Sequence, residues 1–102
     1  MPPEVELRGR PGNQTINLTW DINLPVPIST TWRIDYYTTT LAAPLTVTLP
    51  LSTTRDQLLT GLTNYQWYTV TLHALVDNTT WLSDTVRVMP TDRLVYLPVI
   101  MK

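Results

Sequence analysis

The sequence predicts an all-β domain, a two-layer sandwich of short antiparallel strands. Three observations carry that prediction. Nineteen threonines and nine prolines sit beside only three glycines and no phenylalanine, the composition of β-branched strands and tight turns. Apolar residues recur at every second position in run after run, and none recurs with the 3.6-residue period of a helix. Clusters of Pro, Asn, Asp, Thr and Gly close almost every run.

The strands can be justified in order. Val5 and Leu7, after Pro2-Pro3, open the first. Ile16, Leu18, Trp20 and Ile22 alternate with Asn17, Thr19 and Asp21, sending four apolar side chains to one face. Pro25 and Pro27 end that run. Trp32, Ile34 and Tyr36 then alternate with Arg33, Asp35 and Tyr37, and threonines 38–40 lead out. Leu45, Val47, Leu49 and Leu51 alternate with Thr46, Thr48 and Pro50, and the proline assigns this run to a sheet edge. A short strand over 57–62 points Leu59 and Leu62 inward before Gly61 and Asn64 turn the chain. Tyr68, Val70, Leu72 and Ala74 alternate with Thr69, Thr71 and His73, and the cluster from Asp77 to Thr80 reads as a loop. Val86 and Val88 carry the last strand to Pro90. Seven such strands are the count of an immunoglobulin-like Greek-key sandwich. With no cysteine in the chain, it must stand without a disulfide.

Length and charge narrow the classes of function. At 102 residues the chain has room for one domain, here residues 1–92, followed by a segment 93–102 that the strand pattern does not require. Seven basic and eight acidic residues leave a net charge of -1, without the clustered cations that nucleic-acid binding needs. The uncharged stretch 36–54 is broken by threonines and prolines and is no membrane span.

The residues 2–91 resemble a fibronectin type III domain. The resemblance rests on Pro2-Pro3, on Asn17-Leu18-Thr19-Trp20-Asp21 and on the aromatic-x-aliphatic-x-tyrosine pattern of Trp32-Arg33-Ile34-Asp35-Tyr36. Its most specific piece is Leu62-Thr63-Asn64-Tyr65-Gln66-Trp67-Tyr68-Thr69-Val70-Thr71-Leu72. The resemblance implies that Tyr68 is the tyrosine corner, its hydroxyl bonded back to backbone near the turn. It implies a core of Trp20, Trp32, Ile34, Tyr36, Leu62, Tyr68, Val70 and Leu72. The chain departs from the family where Asn64-Tyr65 replaces the usual proline-glycine turn, and where the connection from Trp20 to Trp32 is longer than common.

Catalytic chemistry has little to rest on. The single histidine, His73, falls on the outward face of its strand with no serine or cysteine near it in sequence, so it reads as a surface residue. One histidine and no cysteine make no usual zinc site, and three scattered glycines cradle no phosphate. Asp77, Asn78 and Asp84 could approach a hard cation, but a polar turn is the simpler reading. No catalytic, cofactor or metal residue is therefore expected, and the chain reads as no enzyme. Asn13-Gln14-Thr15, Asn17-Leu18-Thr19 and Asn78-Thr79-Thr80 match the N-glycosylation triplet, and no Arg-Gly-Asp occurs.

Exposed aromatics and the polar strand face are the better candidates. Arg33, Asp35, Tyr37, His73 and Arg87, together with Thr69, Thr71 and Met89, would share the outer face of a three-stranded sheet, with Trp67 before the corner tyrosine and Trp81 closing the 77–80 loop. Such aromatics anchor protein interfaces or stack on sugar rings, and equally pair across a sheet to stabilise it. After Asp92, the run Leu94-Val95-Tyr96-Leu97-Pro98-Val99-Ile100-Met101 is continuously apolar between Arg93 and Lys102, and such a run calls for a cover. It could fold back on this domain, dock on a neighbour or drive self-association. It is similar to the ends of some bacterial secreted multidomain proteins. Two functions follow as expectations: a non-catalytic spacer or protein-interaction module of a secreted or cell-surface protein, meeting neighbouring domains or another protein, or a carbohydrate-contacting module of a polysaccharide-degrading enzyme using Tyr37, Trp67 and Trp81. Neither involves a cofactor, nucleic acid or a membrane span.

Overall fold

The computed structural model describes residues 4–23, 25–39 and 44–92; the Pro2-Pro3 start, Thr40 and the segment 93–102 lie outside the described residues. Seven strands run in order: β1 (Val5–Gly12), β2 (Thr15–Ile22), β3 (Thr31–Tyr37), β4 (Leu45–Leu49), β5 (Asp56–Leu59), β6 (Tyr68–Val76) and β7 (Thr79–Val88). They form two antiparallel sheets, β1-β2-β5 and β4-β3-β6-β7. The chain passes between the sheets after β2, after β4 and after β5, the connectivity of a Greek-key sandwich.

Alternation explains which side chains meet. Leu7, Ile16, Leu18 and Trp20 from one sheet face Trp32, Ile34, Val70, Leu72 and Ala74 from the other, all buried. At the centre, the Trp20 and Trp32 rings approach to 5.7 Å with a 50° tilt, a favourable aromatic geometry. Arg55 ties the pair together. Its carbonyl accepts the Trp20 N–H at 3.0 Å, and its guanidinium stacks over Trp32 at 5.3 Å while donating to the Ser52 and Thr54 carbonyls. The Trp32 indole N–H donates to that same Ser52 carbonyl at 3.2 Å. Tyr68 forms the tyrosine corner, its hydroxyl accepting the Thr63 N–H at 3.0 Å.

Several expectations need correction. The outer sheet has four strands, because β4 pairs with β3 from Tyr36↔Leu45 to Trp32↔Leu49. β4 does lie at the edge, but it ends at Leu49. Val47 and Leu49 reach the core while Leu45 and Leu51 stay exposed, since the opposite sheet covers only the middle of this strand. β5 stops at Leu59, and Leu62 is buried from the connector instead. Tyr36 is half-buried, tilted against Tyr68 at 6.4 Å near the open end of the sandwich. The largest correction is at 77–80. Asp77 and Asn78 alone form the turn, with φ of 53° and 62°, the left-handed pair that a two-residue hairpin needs, and Thr79 and Thr80 already belong to β7.

One inward position on β7 is charged. Asp84 pairs in register with buried Leu72, and its carboxylate reaches across to accept the Leu7 N–H of β1 at 2.8 Å and its neighbour Thr85 N–H at 2.9 Å. This links the edges of the two sheets where β1 and β7 meet. It also occupies a donor that an open edge would leave free to pair with another chain.

Two substitutions test the core. Trp20→Ala should lower unfolding free energy by about 3–5 kcal/mol as a large-to-small core change, and a loss below about 1 kcal/mol in urea melts would mean that the sheet packing is wrong. Tyr68→Phe should cost about 1–3 kcal/mol by leaving the Thr63 N–H unpaired, read from the same melts with an unchanged m-value.

Candidate functional site

The residues singled out from sequence separate into two groups. Arg33, Asp35 and Tyr37 project from β3, Thr69, Thr71 and His73 from β6, and Thr85 and Arg87 from β7, all on the outer face of the four-stranded sheet. Register places them in rows: Tyr37, Thr69, Arg87; Asp35, Thr71, Thr85; Arg33, His73, Ser83. Trp67, one residue before β6, extends the first row, with the Arg87 guanidinium 5.1 Å from its ring centroid. That spacing is a cation–π contact. Trp81 is elsewhere. It is the extra residue of a β-bulge, since Ala74 pairs with Leu82 and Leu75 with Thr80. Its ring packs partly against the core and lines a shallow apolar hollow with Pro27, Val76, Thr79 and Thr80. Six residues of β7 lie between it and Val88, so roughly 20 Å of strand lies between Trp81 and the end holding Tyr37 and Trp67. The three rings share no platform.

The middle of the face is organised around one carboxylate. Asp35 lies 3.2 Å from His73 Nε2 and 3.4 Å from Arg33 Nε, and accepts the Thr46 hydroxyl of β4 at 2.8 Å. Thr71 and Thr85 hydroxyls meet at 3.0 Å beside it. His73 is covered more than a surface histidine would be, its side chain 19% exposed. Its Nδ1 is shielded and has no hydrogen-bond partner among the described residues. The pairing of strands sets Ser83 opposite His73, so serine, histidine and aspartate do come together in space. No hydrogen bond joins Ser83 to His73, and nucleophilic chemistry requires that bond.

The other carboxylates are dispersed. Asp77 stands at the hairpin tip and Asp84 faces β1, so the two do not converge on a cation. Among the described residues no group of three or more His, Asp or Glu side chains could hold a metal ion. On the outer face of the three-stranded sheet, Arg8 bridges Glu6 at 2.7 Å and Asp21 at 2.5 Å. The hydrogen bond and charge of Asp21, reinforced by Glu6, raise the Arg8 guanidinium pKa above its ordinary value. Of the glycosylation triplets, Asn13 has its side-chain oxygen bonded by Asn64, while Asn17 and Asn78 are exposed.

No protein-family model matches the chain, and no curated protein matches it. Among solved structures it is similar to the crystal structure of the FN5 domain of Drosophila Lar, with a TM-score of 0.67 and 18% identity, over 87% of this chain and 94% of that one. The chain has the fibronectin type III fold. The Trp20, Trp32 and Tyr68 positions thus serve as the resemblance implies, as the core and corner of a type III sandwich. The contacts that sequence reading missed are those made across strands. The Asp84 carboxylate on β1 had one legible signal, an acidic residue at the same parity as Val86 and Val88. The Arg33, Asp35, His73 and Thr46 cluster had none, because it depends on the register of three strands.

Asp35→Ala removes the carboxylate that Arg33, His73 and the Thr46 hydroxyl share, and should destabilise the domain by about 1–3 kcal/mol in urea melts at neutral pH. Asp35→Asn, keeping the shape and an acceptor for Thr46, should cost less.

Proposed function

We propose that the chain is a non-catalytic module that spaces or presents neighbouring domains of a larger secreted or cell-surface protein. The observation that carries this reading is the position of its two ends. At one end, Glu4 exchanges hydrogen bonds with Asn23, its N–H donating to the side-chain oxygen at 3.0 Å and its carbonyl accepting the Asn23 N–H at 3.2 Å. At the other, the Thr91 N–H donates to the Gly12 carbonyl at 3.1 Å and the Pro90 carbonyl accepts the Tyr65 N–H at 2.8 Å. The eight residues of β1 lie between, about 27 Å of extended strand.

A domain entered at one end and left at the other transmits length to whatever it joins. Glu4 and Thr91 are both pinned to the sandwich, so the separation between these two points is set by the sheets. The solved structure it resembles is itself a domain of a longer protein. Location outside the cell draws support from the apolar 94–101 run and its likeness to secreted proteins. The exposed rings at the end of the outer face, Tyr37 and Trp67, suit a surface that meets another protein.

Two full-length copies fused head to tail test the spacing by small-angle scattering. The expected maximum dimension is close to twice that of one copy, and a compact side-by-side pair would sink the serial reading. A titration of the single chain with soluble and insoluble polysaccharides, followed by tryptophan fluorescence, should give no response. Binding that disappears in Trp67→Ala would replace the spacer with a carbohydrate-contacting module.

A further inference from the structure

Three exposed aromatic side chains lie at the end of the sandwich that holds Pro90 to Asp92. Tyr37 is 42% exposed, Tyr65 52% and Trp67 51%. Each has a fixed place. Tyr37 ends β3 in register with Thr69, so Trp67 falls on its diagonal, close enough for aromatic side chains to share an occupant. Trp67 is steadied by the Arg87 guanidinium at 5.1 Å. Tyr65 has φ of 66°, an unfavourable backbone for a bulky residue, and is held there by its N–H to Pro90 and its hydroxyl to Asp92. Apolar rings fixed in this way and left open to water are the features of a docking surface.

The same bonds decide what arrives there. By gripping Pro90 and Asp92, Tyr65 fixes the point at which the described chain ends, two residues along the connector from Trp67. The residues that follow include the apolar run Leu94 to Met101, eight residues that would be an aggregation hazard if left uncovered. We infer that the run 94–101 of the same chain docks on the aromatic cluster of Tyr37, Tyr65 and Trp67. Extended, eight residues span about 26 Å, whereas the step from β7 past β6 to β3 is about 10 Å, so the run is long enough to reach Tyr37. A segment tethered this closely meets its site at an effective concentration on the order of millimolar, so weak apolar contacts suffice. Pro98 suits such contacts, since a proline lies on an aromatic ring without needing a ladder hydrogen bond. The inference holds whether or not the module works in series with others. A failed scattering test and a failed docking test would therefore be told apart.

Isotope-filtered NMR on the full chain tests it. The expected result is NOEs from the methyl groups of Leu94, Val95, Leu97 or Val99 to the Trp67 indole, unchanged on dilution and absent between chains in a sample mixing labelled and unlabelled protein. Leu97→Asp, at a position that belongs to none of the seven strands, should remove those NOEs and move the Trp67 indole resonance; Trp67→Ala assigns that resonance. Full-chain spectra without such NOEs, with an indole resonance indifferent to Leu97→Asp, would overturn the inference. So would NOEs that appear only between chains, which would make a second copy the occupant.

Discussion

The contact between Trp20 and Trp32 is the one on which the rest of the structure depends. Each ring comes from a different sheet, and each is buried almost completely. A sandwich without cysteine relies chiefly on apolar contact to keep its layers registered, and these two rings are the largest fully buried side chains at its centre. Arg55 extends that contact to the backbone. One residue supplies the acceptor for Trp20, the cation over Trp32 and the donor to the carbonyl that Trp32 also uses. The connection between β4 and β5 is thereby fixed to both sheets. A shift of either tryptophan would loosen the loop as well as the core.

A second constraint follows from having four open sheet edges. β1 and β7 meet through Asp84, whose inward carboxylate occupies the Leu7 N–H. β4 is only five residues long and β5 only four. Short edges offer little template for pairing with another chain. The edges therefore offer little to pair with, and the exposed rings of Tyr37 and Trp67 lie instead at one end of a face.

The period of two made the core legible before any coordinates. Trp20, Trp32, Ile34, Val70 and Leu72 lie where alternation puts them, because in a two-layer fold the only dry place for a strand's apolar face is the opposite sheet. Alternation says nothing about where a strand stops. Leu45 and Leu51 kept the right parity yet emerged beyond the cover of the other sheet. The Asp77-Asn78 turn was hidden by the threonines after it, which suit a strand as well as a loop. The outer face was legible as a set of residues but not as a set of contacts. Asp35 has its partners on three different strands, and only the register brings His73, Arg33 and Thr46 to it.

That distinction bears on what the outer face can do. Its centre is a polar network around Asp35, which faces His73 and Arg33 and accepts the Thr46 hydroxyl, while the Thr71 and Thr85 hydroxyls bond each other; Arg33 Nε and His73 Nδ1 are buried there without a hydrogen-bond partner among the described residues. Groups already paired offer a partner little, since binding would have to replace those bonds at no gain. Its end is different. Trp67 has one neighbour in Arg87 and Tyr37 has a polar row beside it, so covering these rings removes apolar area from water without breaking any bond that the domain needs. The outer face thus divides into a polar centre whose groups are already engaged with one another and an end where apolar rings remain open to water.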